Sequence, residues 1–348
     1  EIAGVTIPAG SVVLLSLASA NRDPDRFDRP ETVHLIARDD QHAIVGYARL
    51  LPTTGPYLLG EMFPQLLNGL LDGFYYLLIA IGLSLIFSLG GIVNLAHGAF
   101  FAIGAYLAIA VSPYTGFFGA VIVVPLIVAG LGMLTERLLF TRFYRVDPLY
   151  SLLLTFGLAM VVEQSLRWMF GSAPLAYNIP DALRGQVFLG DFIYSRYRIF
   201  LIVVAMVAVG ALWVLLNRTA FGRIVRAGIQ NPDILAAMGI SLRPYLSAVA
   251  GIAIGLAGLA GVLMAPIVPV HPAMGAEVLT AAFVVVVIGG LGSFWGVVLA
   301  ALLVGLVKGL VIAIGLPSWS LAAIYLLMFL VLMLRPRGLM GERILRFE

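Results

Sequence analysis

Apolar residues run through this chain in long unbroken blocks, without the alternation or every-third spacing of a soluble core. From about residue 62 onward the blocks are 66–90, 98–113, 117–139, 149–170, 198–216, 245–266, 278–292, 295–314 and 319–334. A helix needs about 20 such residues to cross a hydrocarbon layer ~30 Å thick. The pattern therefore predicts an all-α, polytopic transmembrane helix bundle of about eight or nine spans. Blocks 98–113 and 278–292 are short, and read either as tilted partners of a broken helix or as incomplete crossings. Residues 1–61 differ, with Arg22, Asp23, Asp25, Arg26, Asp28, Arg29, Glu31, Arg38, Asp39 and Asp40 crowded together. Two domains follow: a non-membrane piece at 1–61 and a membrane piece at 62–348.

The connections set the orientation. Arg137, Arg142 and Arg145 lie at one junction, Arg218, Arg223, Arg226 and Arg243 at another, and Arg335, Arg337, Arg343 and Arg346 at the C-terminal end. Connections 114–116, 267–276 and 315–318 carry no arginine or lysine. Counting crossings brings the three arginine-rich ends to one face, which the positive-inside rule makes cytoplasmic. The expected location is the inner cell membrane, with the C-terminus in the cytoplasm.

Composition agrees: 61% of the 348 residues are hydrophobic, 11% are charged, and mean hydropathy is +1.04. Soluble domains carry about 25% charge. The net charge of +3 comes from arginines between apolar blocks, not from a nucleic-acid patch. Cysteine is absent, which excludes disulfides, thiolate metal sites and cysteine catalysis. Gly251, Gly255, Gly258 and Gly261 recur along one helix face, as in close helix packing.

Few polar residues lie deep in apolar sequence, and each needs a partner or a function. Asn94 and His97 sit in Gly90-Gly91-Ile92-Val93-Asn94-Leu95-Ala96-His97-Gly98, a polar pair flanked by glycine. One reading is a pathway or gate element at a broken helix; the other is an interhelical hydrogen bond that fixes a turn. Glu163 lies four residues before Arg167, as in an ion pair along one helix face. Lys308, the sole lysine, has the reach to snorkel toward an interface. No HExxH, GxSxG or paired-carboxylate motif occurs in the membrane piece, so no catalytic or metal site is expected. The nucleotide-cradling GxxxxGK[ST] loop is also missing, so any ATP hydrolysis belongs to another chain. Residues 217–244 form the long connection where such a chain would dock. Asn231-Pro232-Asp233 reads as a helix start and Gly239 as its stop, presenting Leu235, Ala236 and Met238 to a partner.

Residues from about Met62 to Leu345 resemble the permease subunits of branched-chain amino acid ATP-binding-cassette importers. The motifs carrying the resemblance are Gly82-Leu83-Ser84-Leu85-Ile86-Phe87-Ser88, Gly91 to Gly98, Gly104-Ala105-Tyr106, Glu136-Arg137, Leu154-Thr155-Phe156-Gly157-Leu158, Gly222 to Gly239, Val286 to Ser293 and Arg335 to Leu339. The resemblance implies a second permease subunit, two ATP-binding subunits that use the ATP, and a soluble solute-binding protein. No cofactor on this chain is implied. It adds Thr155 to Asn94, His97 and Glu163 as candidates for the translocation pathway or gate. By the same resemblance the ATPase-coupling loop takes in Gly222, Arg226, Ala227, Asn231, Ala236, Ala237 and Gly239. The alternative class is an ion-coupled secondary transporter of a small solute. Residues 1–46, through Ile7-Pro8-Ala9-Gly10 and Ala20-Asn21-Arg22-Asp23-Pro24, resemble a fragment of haem-thiolate cytochrome monooxygenases. The iron-ligating cysteine is absent, so that piece reads as a non-functional fragment with loose packing.

Overall fold

Leucine, alanine and methionine lose little on entering a helix, and lipid leaves the backbone of the β-branched and aromatic residues, too, no partner but itself. The long apolar blocks accordingly fold as helices. The computed structural model describes residues 33–38, 44–50, 57–144, 147–189 and 192–341. The chain divides into two units, Glu1–Phe63 and Pro64–Glu348. In the first, β1 (Val33–Arg38) pairs antiparallel with β2 (Ile44–Leu50). The loose packing expected for the rest of that piece lies outside the described residues.

Helix α1 (Tyr57–Gly90) begins in the first unit and belongs to the second from Pro64, where its candidate span starts; the second unit continues with α2 (His97–Leu138), α3 (Pro148–Phe170), α4 (Arg196–Arg218), α5 (Ala220–Gln230), α6 (Pro232–Ala237), α7 (Arg243–Met264), α8 (Met274–Gly289), α9 (Phe294–Ala313) and α10 (Ser320–Leu334). Every apolar block of the sequence falls on one of them. Among the described residues, seven helices are long and apolar enough to cross a membrane, and Met274–Gly289 is a shorter one. Blocks 98–113 and 117–139 fuse into the 42-residue α2, broken at Gly116, where φ is 69° and ψ 172°. Glycine reaches that left-handed backbone without steric penalty. A second hairpin, β3 (Gln186–Leu189) with β4 (Phe192–Ser195), lies in the connection before α4. The all-helix expectation passed over it, although Gly190-Asp191 between two apolar runs is a hairpin signal.

Burial sorts the helices. The apolar windows of α1 and α7 are 72% and 78% buried, against 6% for α10. The first two form the centre and α10 faces outward. Lipid gives helices no hydrophobic reason to associate, so close backbone contact must hold the centre together. The glycine face of α7 does this. Gly258 meets both Gly104 and Val128 of α2, and Gly261 lies against the Phe101 carbonyl and the Ala105 amide. Gly255 and Gly251 continue the contact onto Ala129 and Met133. A matching zipper joins α1 to α9 through Gly69, Gly73, Gly305 and Gly309. A Cβ on Gly73 would stand 2.9 Å from the Ala301 carbonyl oxygen, and overpacking of this kind is destabilising.

Candidate translocation site

The connection 91–96 is not a surface turn. Asn94 and His97 are completely buried. The Asn94 Oδ1 accepts a hydrogen bond from the Ala96 amide at 3.0 Å, closing a local turn ahead of α2. The His97 ring reaches back to α1, with Nε2 3.1 Å from the Ile79 carbonyl. A carbonyl only accepts, so Nε2 carries the hydrogen. Ile79 lies near the middle of the Pro64–Gly90 span, so α2 begins at mid-span depth.

Thr155 of α3 anchors this loop. Its Oγ1 accepts from the Leu95 amide at 3.1 Å. The same hydroxyl faces the Val93 carbonyl at 3.2 Å, the Ser151 carbonyl at 2.9 Å and the Leu152 carbonyl at 3.1 Å. One hydroxyl has one hydrogen, so these three carbonyls share it. Asn94, His97 and Thr155 thus come together, and their bonds are those of a fixed turn. Asn94 Nδ2 and His97 Nδ1 nonetheless find no partner among the described residues.

The second short helix meets the first. A Cβ on Gly98, in the first turn of α2, would collide with the Gly275 carbonyl, in the first turn of α8. The two short blocks are therefore partners whose N-termini converge. The connection before α8 is held by an antiparallel bridge, Leu175 to Val270, with both amide–carbonyl bonds at 2.8 Å. Beside the convergence is a partly open cavity of about 260 Å³, lined by Leu95, Ala99 and Ala102 of the α2 side, by residues between Phe156 and Leu166 of α3, and by residues between Pro272 and Thr280 at the start of α8. Glu163 lines it. Its carboxylate is 2.8 Å from Arg167 Nη2, with side chains 26% and 44% exposed respectively. The ion pair read from their spacing exists, and the same carboxylate also borders the cavity.

The coupling-loop candidates form a separate place. Thr219 caps α5 by accepting from the Gly222 amide, and Gly222 packs against the Leu216 carbonyl where a Cβ would not fit. Arg226 turns back to the exposed end of α4, donating to the Leu216 carbonyl at 2.6 Å and to Asn217 Oδ1 at 2.8 Å. The Ala227 carbonyl accepts the Asn231 amide at 2.9 Å. The Asn231 side chain then caps α6 through the Asp233 and Ile234 amides, both at 3.1 Å. Gly239, at φ 77°, ends the turn. Ala236 and Ala237 are exposed. Leu235, expected to face a partner, is instead 4% exposed. Ile234 and Met238 are the outward apolar side chains, at 60% and 70%. A six-residue helix turns 100° per residue, so its neighbours 234 and 235 point apart.

The family profile described as branched-chain amino acid transport system / permease component matches residues 65–332. The chain belongs to this permease family. Relatives of the permease include the high-affinity branched-chain amino acid transport system permease protein LivH of Salmonella typhimurium, 26% identical over 306 residues, covering 82% of this chain and 96% of the relative. Another is BraD of Pseudomonas aeruginosa, 27% identical over 294 residues, 80% and 95% of the two chains. No solved structure matches. Residues 17–72 match a second family, the autoinducer synthases. The acyl-homoserine-lactone synthase of Acinetobacter nosocomialis is 58% identical over 50 residues, 14% of this chain and 27% of that protein. The N-terminal piece is therefore similar to part of a synthase and is not a haem-thiolate monooxygenase fragment. That likeness rested on short Pro, Gly and Asp turn patterns, which unrelated folds share.

Two polar clusters in the permease escaped the sequence reading. Lys308 of α9 does not snorkel; its Nζ is 2.7 Å from Asp72 Oδ2 on α1, with the Tyr76 hydroxyl at 3.3 Å. Asp72 inside block 66–90 was the available signal. Glu136, 2% exposed, accepts hydrogen bonds from Ser247 of α7, from Thr141 at 3.2 Å and from Tyr144 at 3.1 Å. Burial first, then the Glu136 carboxylate beside it, push the Tyr144 hydroxyl well above the usual phenol range. It stays protonated and donates.

Proposed function

We propose that the chain is a membrane-spanning permease subunit of an ATP-binding-cassette importer of branched-chain amino acids or similar small polar solutes. A second permease subunit, two ATP-binding subunits and a soluble solute-binding protein complete the assembly in this reading. Membership of the permease family over residues 65–332 is the observation that carries it. The converging N-termini of α2 and α8 add support, since half-helices starting inside a membrane mark solute paths. Asn94, His97 and Thr155 set the depth and angle of one half-helix, and Glu163 borders the cavity beside it. They act as pathway elements by holding that geometry.

Residues 217–244 face the cytoplasm in this reading, with the C-terminus, and α6 is the ATPase-contact element. Ile234 and Met238 are apolar and exposed on a charged, capped connection where lipid does not cover them. Arg226 and Gly222 fix α5 to α4, so a push on α6 passes into the bundle. The Leu89 and Leu242 side chains both touch Gly228 at the α5 base, which extends that route to α1 and α7.

The test is reconstitution with ATPase subunits and a binding protein in liposomes, following labelled leucine. ATP-driven uptake is expected. Uptake that persists without ATP and collapses with the proton gradient would instead make the chain a secondary transporter. Single introduced cysteines at Ile234 or Met238 should label from the cytoplasmic side in intact cells; labelling from outside would defeat the assignment.

A further inference from the structure

Two cavities lie end to end along the flank of the bundle where α1, α4 and α9 meet. The first is an open groove of about 360 Å³, walled by Leu77, Met206, Val209, Trp213, Trp295 and Val298, with no charged side chain in its lining. Gly210 also lines it, and a Cβ there would meet nothing within 4 Å. The second, of about 120 Å³, begins one helical turn further along both α1 and α4, at Ile81 and Leu216, and Phe294 borders both. It adds the polar groups that the groove lacks, Ser84, Ser88, Asn217 and Arg226. Arg226 bonds the Leu216 carbonyl and Asn217 through Nη1, which leaves its Nε and Nη2 hydrogens free among the described residues. The Arg218 guanidinium stands 6.0 Å from the centre of the Trp213 ring. Among the described residues Arg218, Arg223 and Arg226 enter no ion pair. Segments 74–88, 206–229 and 292–298, which supply both linings, contain no aspartate or glutamate.

We propose that the two cavities together hold one anionic glycerophospholipid, with an acyl chain in the groove and the phosphate beside Arg226 and Arg218. An open apolar groove on a spanning helix has an acyl chain as its ordinary occupant, so the arginines are what make the site selective. Tryptophan settles at headgroup level, between hydrocarbon and water. Trp213 and the 56% exposed Trp295 therefore mark the boundary, with the groove on the hydrocarbon side and the arginines on the phosphate side. A guanidinium meets two phosphate oxygens with two parallel N–H groups. Basic recesses between spanning helices recognise anionic headgroups in this way. With no acid in the lining to offset the arginines, an added ammonium on the headgroup is repelled, which disfavours a zwitterionic lipid. The lipid joins α4, α5 and α9 through a single headgroup. It goes beyond the importer reading and does not depend on which solute passes.

The full chain, purified in a mild non-ionic detergent and stripped of lipid, is titrated with phosphatidylglycerol, with phosphatidylcholine of the same acyl chains, or with inorganic phosphate. Native mass spectrometry counts what stays bound. One phosphatidylglycerol should bind on the order of tenfold more tightly than any phosphatidylcholine, and inorganic phosphate should not displace it. Arg218→Gln should weaken that lipid about fivefold, the worth of one basic side chain at an anionic surface. Arg218→Gln combined with Arg226→Gln should erase the preference for phosphatidylglycerol. Gly210→Phe should fill the groove and remove the tight site, whereas Leu326→Phe, at an exposed position on α10, should leave it intact. Melting of each variant without lipid shows that it has folded. The proposal is overturned if the two lipids bind alike, if inorganic phosphate displaces phosphatidylglycerol, or if the tight site survives Gly210→Phe or the double arginine variant. It is also overturned if an added second permease subunit expels the lipid, since the groove then belongs to that subunit.

Discussion

Replacing Lys308 by methionine keeps most of its volume and removes its charge, leaving Asp72 without its partner 2.7 Å away. Both side chains are only about one-fifth exposed, at 23% and 21%. An unpaired ionised side chain inside a span costs about 2.5–3.5 kcal/mol on insertion scales. The Tyr76 hydroxyl, 3.3 Å from the Lys308 ammonium in the same cluster, recovers part of that, so Lys308→Met should destabilise by about 2 kcal/mol, and Asp72→Asn by a similar amount. With both charges gone, nothing charged remains to be desolvated, and paired replacement of buried ions is often near neutral. The double variant should lie within about 1 kcal/mol of the parent, giving a coupling of about 3 kcal/mol. Reversible unfolding of the purified chain in mixed micelles measures it, since 2 kcal/mol changes the folded ratio about thirtyfold. A Lys308→Met chain as stable as the parent, or a double variant losing the sum of the singles, would refute the reasoning.

Thr155→Val should strand the Leu95 amide and cost about 1–3 kcal/mol, while Thr155→Ser should keep most of the stability; thermal melting distinguishes them. Gly275→Ala should force α2 and α8 apart, costing about 1–3 kcal/mol and lowering uptake, whereas Gly157→Ala, with nothing near its added Cβ, should leave both unchanged. Met238→Glu should abolish co-purification with ATPase subunits without lowering the amount of chain in the membrane. Leu235→Ala should instead lower stability by about 2–5 kcal/mol, because that side chain is buried. Tyr144→Phe removes one of three donors from Glu136 and should cost about 1–2 kcal/mol in melting experiments.

The helices, the approximate span count, the close-packing glycine face of α7 and the capped α6 turn were all legible in the residues. Each depends on local content: twenty apolar side chains in a row, small residues at helical spacing, an Asn-Pro-Asp start and a Gly stop. The orientation of Leu235 was misjudged because a six-residue helix has too few positions to show which face is apolar. The fate of Lys308, the three donors around Glu136 and the meeting of α2 with α8 were decided by the tertiary structure alone. Ser247 lies 111 positions beyond Glu136 and Lys308 lies 236 beyond Asp72, and no periodicity links such pairs. In lipid the apolar surface tells a helix to insert but not where to stand. Which neighbour it chooses is settled by shape and by the few polar groups that must find one another, and both are properties of the assembled bundle.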